Sequence, residues 1–146
     1  MLSKSAEYAI RALVYIQLQN WEEKRPGYRE IAREIESPEH FTAKILQVLT
    51  RFNFINSMKG RNGGFAFNAK DEPLKLYRVI VAIDGEKAFT RCSFGFKSCD
   101  SGNKCPLHDE FSKIRNDFTA LVNKETIQSL AKKIQKGEAV LTQSIS

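Results

Sequence analysis

Residues 37–52 read SPEHFTAKILQVLTRF, and the first three positions carry the start signals of a helix. Ser37 is a good N-cap, Pro38 suits the first helical position because its missing N–H costs nothing there, and Glu39 matches the positive end of the helix dipole. From there, Phe41, Ile45, Leu46, Val48, Leu49 and Phe52 recur at helical spacings and form an inward set. His40, Thr42, Ala43, Lys44 and Gln47 are left as candidates for the exposed face. Just upstream, residues 28–35 form a shorter helix with Ile31, Ala32 and Ile35 on one side. Two helices joined by a few residues, the second with a polar face near its N-terminus, make a helix-turn-helix pattern.

Downstream, FINSM, KGRNGG and FAF follow one another over residues 54–67 and read as a β-hairpin with a basic, glycine-rich tip. The glycines let the backbone take positive φ and approach another chain closely, while Lys59 and Arg61 project charge. A phosphate-cradling nucleotide loop is the disfavoured alternative, because GxxxxGKS or GxxxxGKT is missing and the glycines lie between strands. Between Glu39 and Asp71 the charged residues are Lys44, Arg51, Lys59, Arg61 and Lys70, with no acid among them. This is the stretch to lay against phosphate.

Outward from this centre, residues 4–19 place Tyr8, Ala9, Ala12, Leu13 and Ile16 at helical spacings, and NWEEKRPG over residues 20–27 stops the helix. Residues 74–83 predict a short strand and helix ending at Asp84-Gly85, and residues 86–105 predict a loop without periodicity that holds every cysteine. From Pro106, Leu107, Phe111, Ile114, Phe118 and Leu121 alternate steps of four and three, an a/d seam for a dimer helix; a helix packed on its own domain is the alternative. Ile127, Leu130 and Ile134 mark a shorter helix. The predicted fold is mainly α with a small β-hairpin wing. A winged helix-turn-helix domain (1–85) is followed by a cysteine-bearing loop (86–105), a dimerisation helix with a short last helix (106–135) and a flexible tail (136–146).

With 146 residues, 42% of them hydrophobic, the chain can bury one ordinary core, and its net charge of +6 favours a polyanionic partner. No apolar run is long enough for a membrane span and no secretory h-region opens the chain, which points to the cytoplasm and to no membrane partner. Three cysteines, an odd number, in a reducing compartment favour metal or thiol chemistry over a disulfide framework. No paired-carboxylate motif, Ser-His-Asp arrangement or nucleotide fingerprint occurs, so a binding protein without a small-molecule substrate is expected rather than an enzyme.

The cysteines are spaced Cys92-x6-Cys99-x5-Cys105-x2-His108. Three thiolates and an imidazole one turn beyond the last fit a Cys3His zinc site or a labile iron-sulfur cluster, and ordinary structural cysteines are the third reading. A thiol nucleophile with a histidine base is disfavoured, since neighbours on one helical turn are more often co-ligands.

Taken together, these motifs resemble the bacterial iron-sulfur winged-helix regulators typified by IscR and NsrR. The resemblance rests on Leu2-Ser3-Lys4 with residues 7–13 (EYAIRAL), Ile31-Ala32, Phe41 with Lys44-Ile45-Leu46, the wing SMKGRNGGF at 57–65 and the three-cysteine loop. It implies a homodimeric regulator, expected to be a repressor, on a palindromic double-stranded DNA operator. The surface expected on DNA is Tyr28, Arg29, Pro38, Glu39, His40, Thr42, Ala43 and Lys44, with Ser57, Lys59, Arg61, Asn62, Gly63 and Gly64 from the wing. It also implies a 2Fe-2S cluster, with 4Fe-4S as the alternative, on Cys92, Cys99 and Cys105, responding to nitric oxide, redox state or iron-sulfur status. His108 is the expected fourth ligand, with Glu7 of the partner subunit as its rival. Two departures stand out: the family usually has arginine where Lys59 stands, and the first cysteine gap is one residue longer than in the IscR branch.

Overall fold

Helix α1 (Lys4–Trp21) starts where Ser3 Oγ accepts the Ala6 amide at 3.0 Å. It presents Ala6, Ala9, Ala12, Leu13 and Ile16 to the interior, all fully buried. Three alanines keep this face narrow, so α2 (Tyr28–Glu34), α3 (Glu39–Arg51), α4 (Leu76–Asp84) and α7 (Ile127–Gln135) can all pack against it. The computed structural model describes residues 2–91 and 105–142. Within them, β1 (Asn56–Met58) and β2 (Gly64–Ala66) form an antiparallel pair, while α5 (Lys87–Thr90) and α6 (His108–Lys124) follow α4 in chain order.

The core joins Leu13 and Ile16 of α1 to Ile31 and Ile35 around α2, Leu46 and Leu49 of α3, Val79 and Ile80 of α4, and Ile127 and Ala131 of α7. Each buried Leu or Ile contributes roughly 1.5–3 kcal/mol relative to exposure. The last helix is therefore part of this core. Thr126 starts it with a capping box, and backbone bonds from Leu76 N–H to Glu125 O (3.1 Å) and from Ile127 N–H to Leu74 O (2.8 Å) fasten its entry to that of α4.

Several local expectations need correction. Ser37 does not cap α3; Pro38 holds the cap position at φ −63°, ψ 134°, without a side-chain cap, and the Ser37 hydroxyl bonds the Thr42 hydroxyl instead. Phe52 is 50% exposed, because α3 ends at Arg51 and Asn53, at φ 61°, turns the chain; its ring stacks on Phe54 at 5.8 Å. The strand expected before α4 is a single bridge, Lys75 to Thr126. The segment predicted as loop from residue 86 contains α5, whose Phe89 packs between Tyr77 (4.8 Å) and Phe118 (6.0 Å) and so supplies its own reason to coil. Helix α6 begins at His108, two residues after Pro106 and one after Leu107, the first residue of its apolar pattern.

The hairpin pairs Asn56 with Ala66, Ser57 with Phe65 and Met58 with Gly64. Gly64 takes φ +146°, and a Cβ there would lie 2.2 Å from the Arg25 carbonyl oxygen. Gly64→Ala is therefore expected to lower stability by about 1–3 kcal/mol through strain and displaced backbone. Chemical denaturation against the parent protein measures it, and an unchanged midpoint would contradict the close approach.

Candidate nucleic-acid interface and thiolate site

The N-terminal ends of α2 and α3 carry the first group of expected contacts. Tyr28, Arg29, Pro38, Glu39, His40 and Lys44 are exposed and Ala43 is half-buried. Arg29 lies 5.4 Å above the Tyr28 ring and 3.9 Å from the Glu39 carboxylate. Both side chains of that pair are largely in water, so the pair is weak and the guanidinium is easily given up to a phosphate. Across 13 residues α3 is about 20 Å long, a length that suits a major groove.

Thr42 does not belong to this surface. It is 1% exposed, and its hydroxyl donates to the Pro38 carbonyl at 2.8 Å. Helical spacing alone put it beside His40 and Ala43; a threonine can satisfy its own hydroxyl on the preceding turn and bury its methyl, which the polar letter conceals.

The second group lies on the hairpin. Ser57, Lys59, Arg61 and Asn62 are exposed, Gly63 is half-buried, and Gly64 is buried against the α1–α2 connection. A groove of about 940 Å³ separates the tip from the body, with Arg61, Asn62 and Gly63 on one wall and Gln17, Asn20, Trp21 and Arg25 on the other. Arg25 also donates to Asn56 Oδ1 at 3.3 Å. Residues 20–27 read in sequence only as a helix stop, so Arg25 was missed; Pro26-Gly27 signalled the turn but not its place beside the wing.

Helices α1 and α2 are tied by the Tyr15 hydroxyl, which donates to Glu30 Oε2 at 2.6 Å. Burial, and then the Glu30 carboxylate, push the Tyr15 phenol far above its ordinary range, so it stays a donor.

On the thiolate side, Cys105 is buried just before α6, and the backbone N–H of His108 donates to the Cys105 carbonyl at 3.0 Å. Cys92 and Cys99 lie outside the described residues. Among the described residues no three His, Cys, Asp or Glu side chains gather as a metal site, only one of the three thiols being included. Glu7, in the first turn of α1, pairs with Lys4 at 3.3 Å and keeps 40% of its side chain exposed. Arg115 Nη1 on α6 is buried and, among the described residues, has no hydrogen-bond partner. Residue 115 is two turns from His108 and so on the same helix face, and helical side chains lean toward the N-terminal end of their helix, the end at which His108 stands. A buried donor nitrogen without an acceptor is costly, so the donor set and this orphaned Nη1 on a half-buried arginine fit an anionic, thiolate-held group.

The apolar pattern of α6 divides in two. Phe111 and Phe118 are half-buried and Val122 is buried, with Phe118 stacked on Phe89. Leu107, Ile114 and Leu121, seven residues apart, are 44%, 54% and 51% exposed.

The profile of the Rrf2 family, described as an iron-dependent transcriptional regulator, matches residues 2–133. Protein aau3 of Rhizobium meliloti (strain 1021) is 32% identical over 132 residues, 90% of this chain and 84% of its own. Among solved structures, CymR, the global cysteine regulator of B. subtilis, superposes with a TM-score of 0.71 at 16% identity, covering 90% of this chain and 96% of its own. IscR of T. potens gives 0.69 at 17% identity, covering 99% and 93%. These likenesses establish the winged-helix fold.

Because Thr42 is interior, Thr42→Val is expected to cost about 1 kcal/mol of stability for its lost hydrogen bonding while DNA affinity holds. His40→Ala and Lys44→Ala should do the reverse. Melting curves and gel-shift titrations on the same samples test this; a Thr42→Val protein that folds normally and loses DNA would restore that side chain to the contact surface.

Proposed function

As the chain belongs to the Rrf2 family of transcriptional regulators, which bind DNA, we propose that it is a homodimeric repressor of a palindromic operator, controlled by an iron-sulfur cluster on Cys92, Cys99 and Cys105. The two-fold would set the α3 helices about one helical turn of DNA apart. His40 and Lys44 then face base edges and phosphates from the exposed start of α3, with Tyr28 and Arg29 beside them. Lys59 and Arg61 supply phosphate charge from the wing, and lysine at 59 does so as a point charge without the forked geometry of arginine. The unpaired chain leaves Leu107, Ile114 and Leu121 in water, and a second α6 covering this stripe is the economical occupant.

The observation that carries the cluster reading is the buried, unpaired Arg115 Nη1 on the face shared with His108. It favours an anionic metal-thiolate group over three ordinary reduced cysteines, and the iron-dependence in the family's description favours iron over zinc. When bound, the cluster supplies a group whose charge and integrity change with oxidation, nitrosylation or iron-sulfur supply. Cys105 holds it at the start of the dimer helix, so its presence bears on how α6 is seated. The fourth ligand is His108, local to Cys105, or Glu7 of the partner subunit, whose side chain is 40% exposed and held, among the described residues, only by a surface pair with Lys4.

Purified without oxygen, the protein is expected to be coloured, to contain iron and acid-labile sulfide, and to lose both in Cys92→Ala, Cys99→Ala or Cys105→Ala. Colourless protein with one zinc per chain, or with no metal, overturns the cluster in favour of a zinc or thiol sensor on the same scaffold. His108→Ala should perturb the visible spectrum more than Glu7→Ala; the opposite order assigns the ligand to the partner.

Dimerisation has its own test. Ile114→Asp places a charge at the middle of the exposed stripe and should convert the dimer to a folded monomer by sedimentation velocity, with DNA binding weakened at least tenfold. A dimer that survives this change rules out α6 as the interface.

A further inference from the structure

The connection between α1 and α2 holds the hairpin as well as turning the chain. Asn20, in the last turn of α1, uses both ends of its amide: Nδ2 donates to Lys24 O at 3.0 Å and to Phe65 O at 3.3 Å, and Oδ1 accepts the Phe67 amide at 2.8 Å. Phe65 N–H donates to Pro26 O at 2.9 Å. The outer edge of β2 is thereby bonded to residues 20–26 much as it would be to a third strand. Gly64 seats the strand directly on the Arg25 backbone. Beyond this base the tip stands across the groove from the body, so its direction is set where it is fastened.

We propose that Asn20 is a positioning residue for DNA binding, holding the hairpin at the angle that brings Lys59 and Arg61 to phosphate. This rests on the wing reading given above. From Phe65 back to Arg61 is a lever of at most roughly 13 Å, the extended limit for four residues, so a tilt at the base of about ten degrees moves the tip by up to about 2 Å, enough to lose a hydrogen bond. Asparagine suits the task because one planar group offers donors and an acceptor together. Aspartate would keep its shape and its bond from Phe67 while losing both donations and repelling two carbonyls. Alanine would lose all three bonds.

The test uses full-length, anaerobically purified protein and a duplex selected by the wild-type protein from a random-sequence pool. Asn20→Ala and Asn20→Asp are measured alone and combined with Lys59→Ala/Arg61→Ala, across a range of salt concentrations. Each single Asn20 variant is expected to weaken binding roughly tenfold and to flatten the salt dependence, since lost phosphate contacts release fewer counterions. In the Lys59→Ala/Arg61→Ala background the same substitutions should cost nothing further, because what Asn20 positions is gone. A merely structural Asn20 would weaken binding equally in both backgrounds, and that result, or wild-type binding by both variants, overturns the proposal. Should Asn20→Ala fail to fold, Asn20→Asp carries the comparison. If Lys59→Ala/Arg61→Ala itself leaves affinity and salt slope unchanged, the wing is not a DNA contact and both readings fall together.

Discussion

The burial of alanines along α1 is the constraint on which the rest of the molecule depends. Ala6, Ala9 and Ala12 are fully buried on the helix that touches α2, α3, α4 and α7. Helices can approach closely only where side chains are small, and a larger residue at these positions would force backbones apart that cannot yield separately. Because α3 and the α1–α2 connection both rest on this helix, the exposed face of α3 and the hairpin take their relative placement from it. The Tyr15–Glu30 hydrogen bond adds a polar tie between α1 and α2 at the edge of the same packing.

Helix α6 shows how one apolar pattern can serve two partners. A seam of Leu107, Phe111, Ile114, Phe118 and Leu121 leaves open whether the helix packs at home or on a second chain. The protein divides it: Phe118 stacks on Phe89 and Phe111 is half-buried, while the three aliphatic residues stay exposed. An a/d seam needs only a narrow stripe, and α6 carries two adjacent ones. A helix held partly by its own domain would come to the proposed dimer already oriented, which lowers the ordering cost of association.

The helix order, the hairpin and the major core positions were legible in the sequence because they rest on period and punctuation. Leu46 and Leu49 of α3 lie where helical spacing places them, and the glycine-rich tip lies between two strands as its composition requires. What escaped depended on contacts that period does not report, local for Thr42 and distant in sequence for the rest. Thr42 is polar in type but interior because the Pro38 carbonyl satisfies it. Helix α5 is too short to show periodicity and is held by Tyr77 and Phe118. Asn20 looked like punctuation, since its value comes from Phe65 and Phe67, more than forty residues away. The candidate thiolate set was legible as spacing alone: of its cysteines only Cys105 lies among the described residues, and the orphaned Arg115 donor has no signature in a one-dimensional pattern.

Asn20 also bears on how this chain can vary over generations. Helix α1 is packed on its inner face from Ala6 to Ile16, and its amide pin comes four residues after that. A single inserted or deleted residue between them would rotate Asn20 by about 100° and shift it by about 1.5 Å along the axis, carrying the pin away from β2. Substitutions on the outer face of α1 meet no such obstacle. The outer face of α1 is therefore free to drift in letters, while the count of residues between core and pin is fixed.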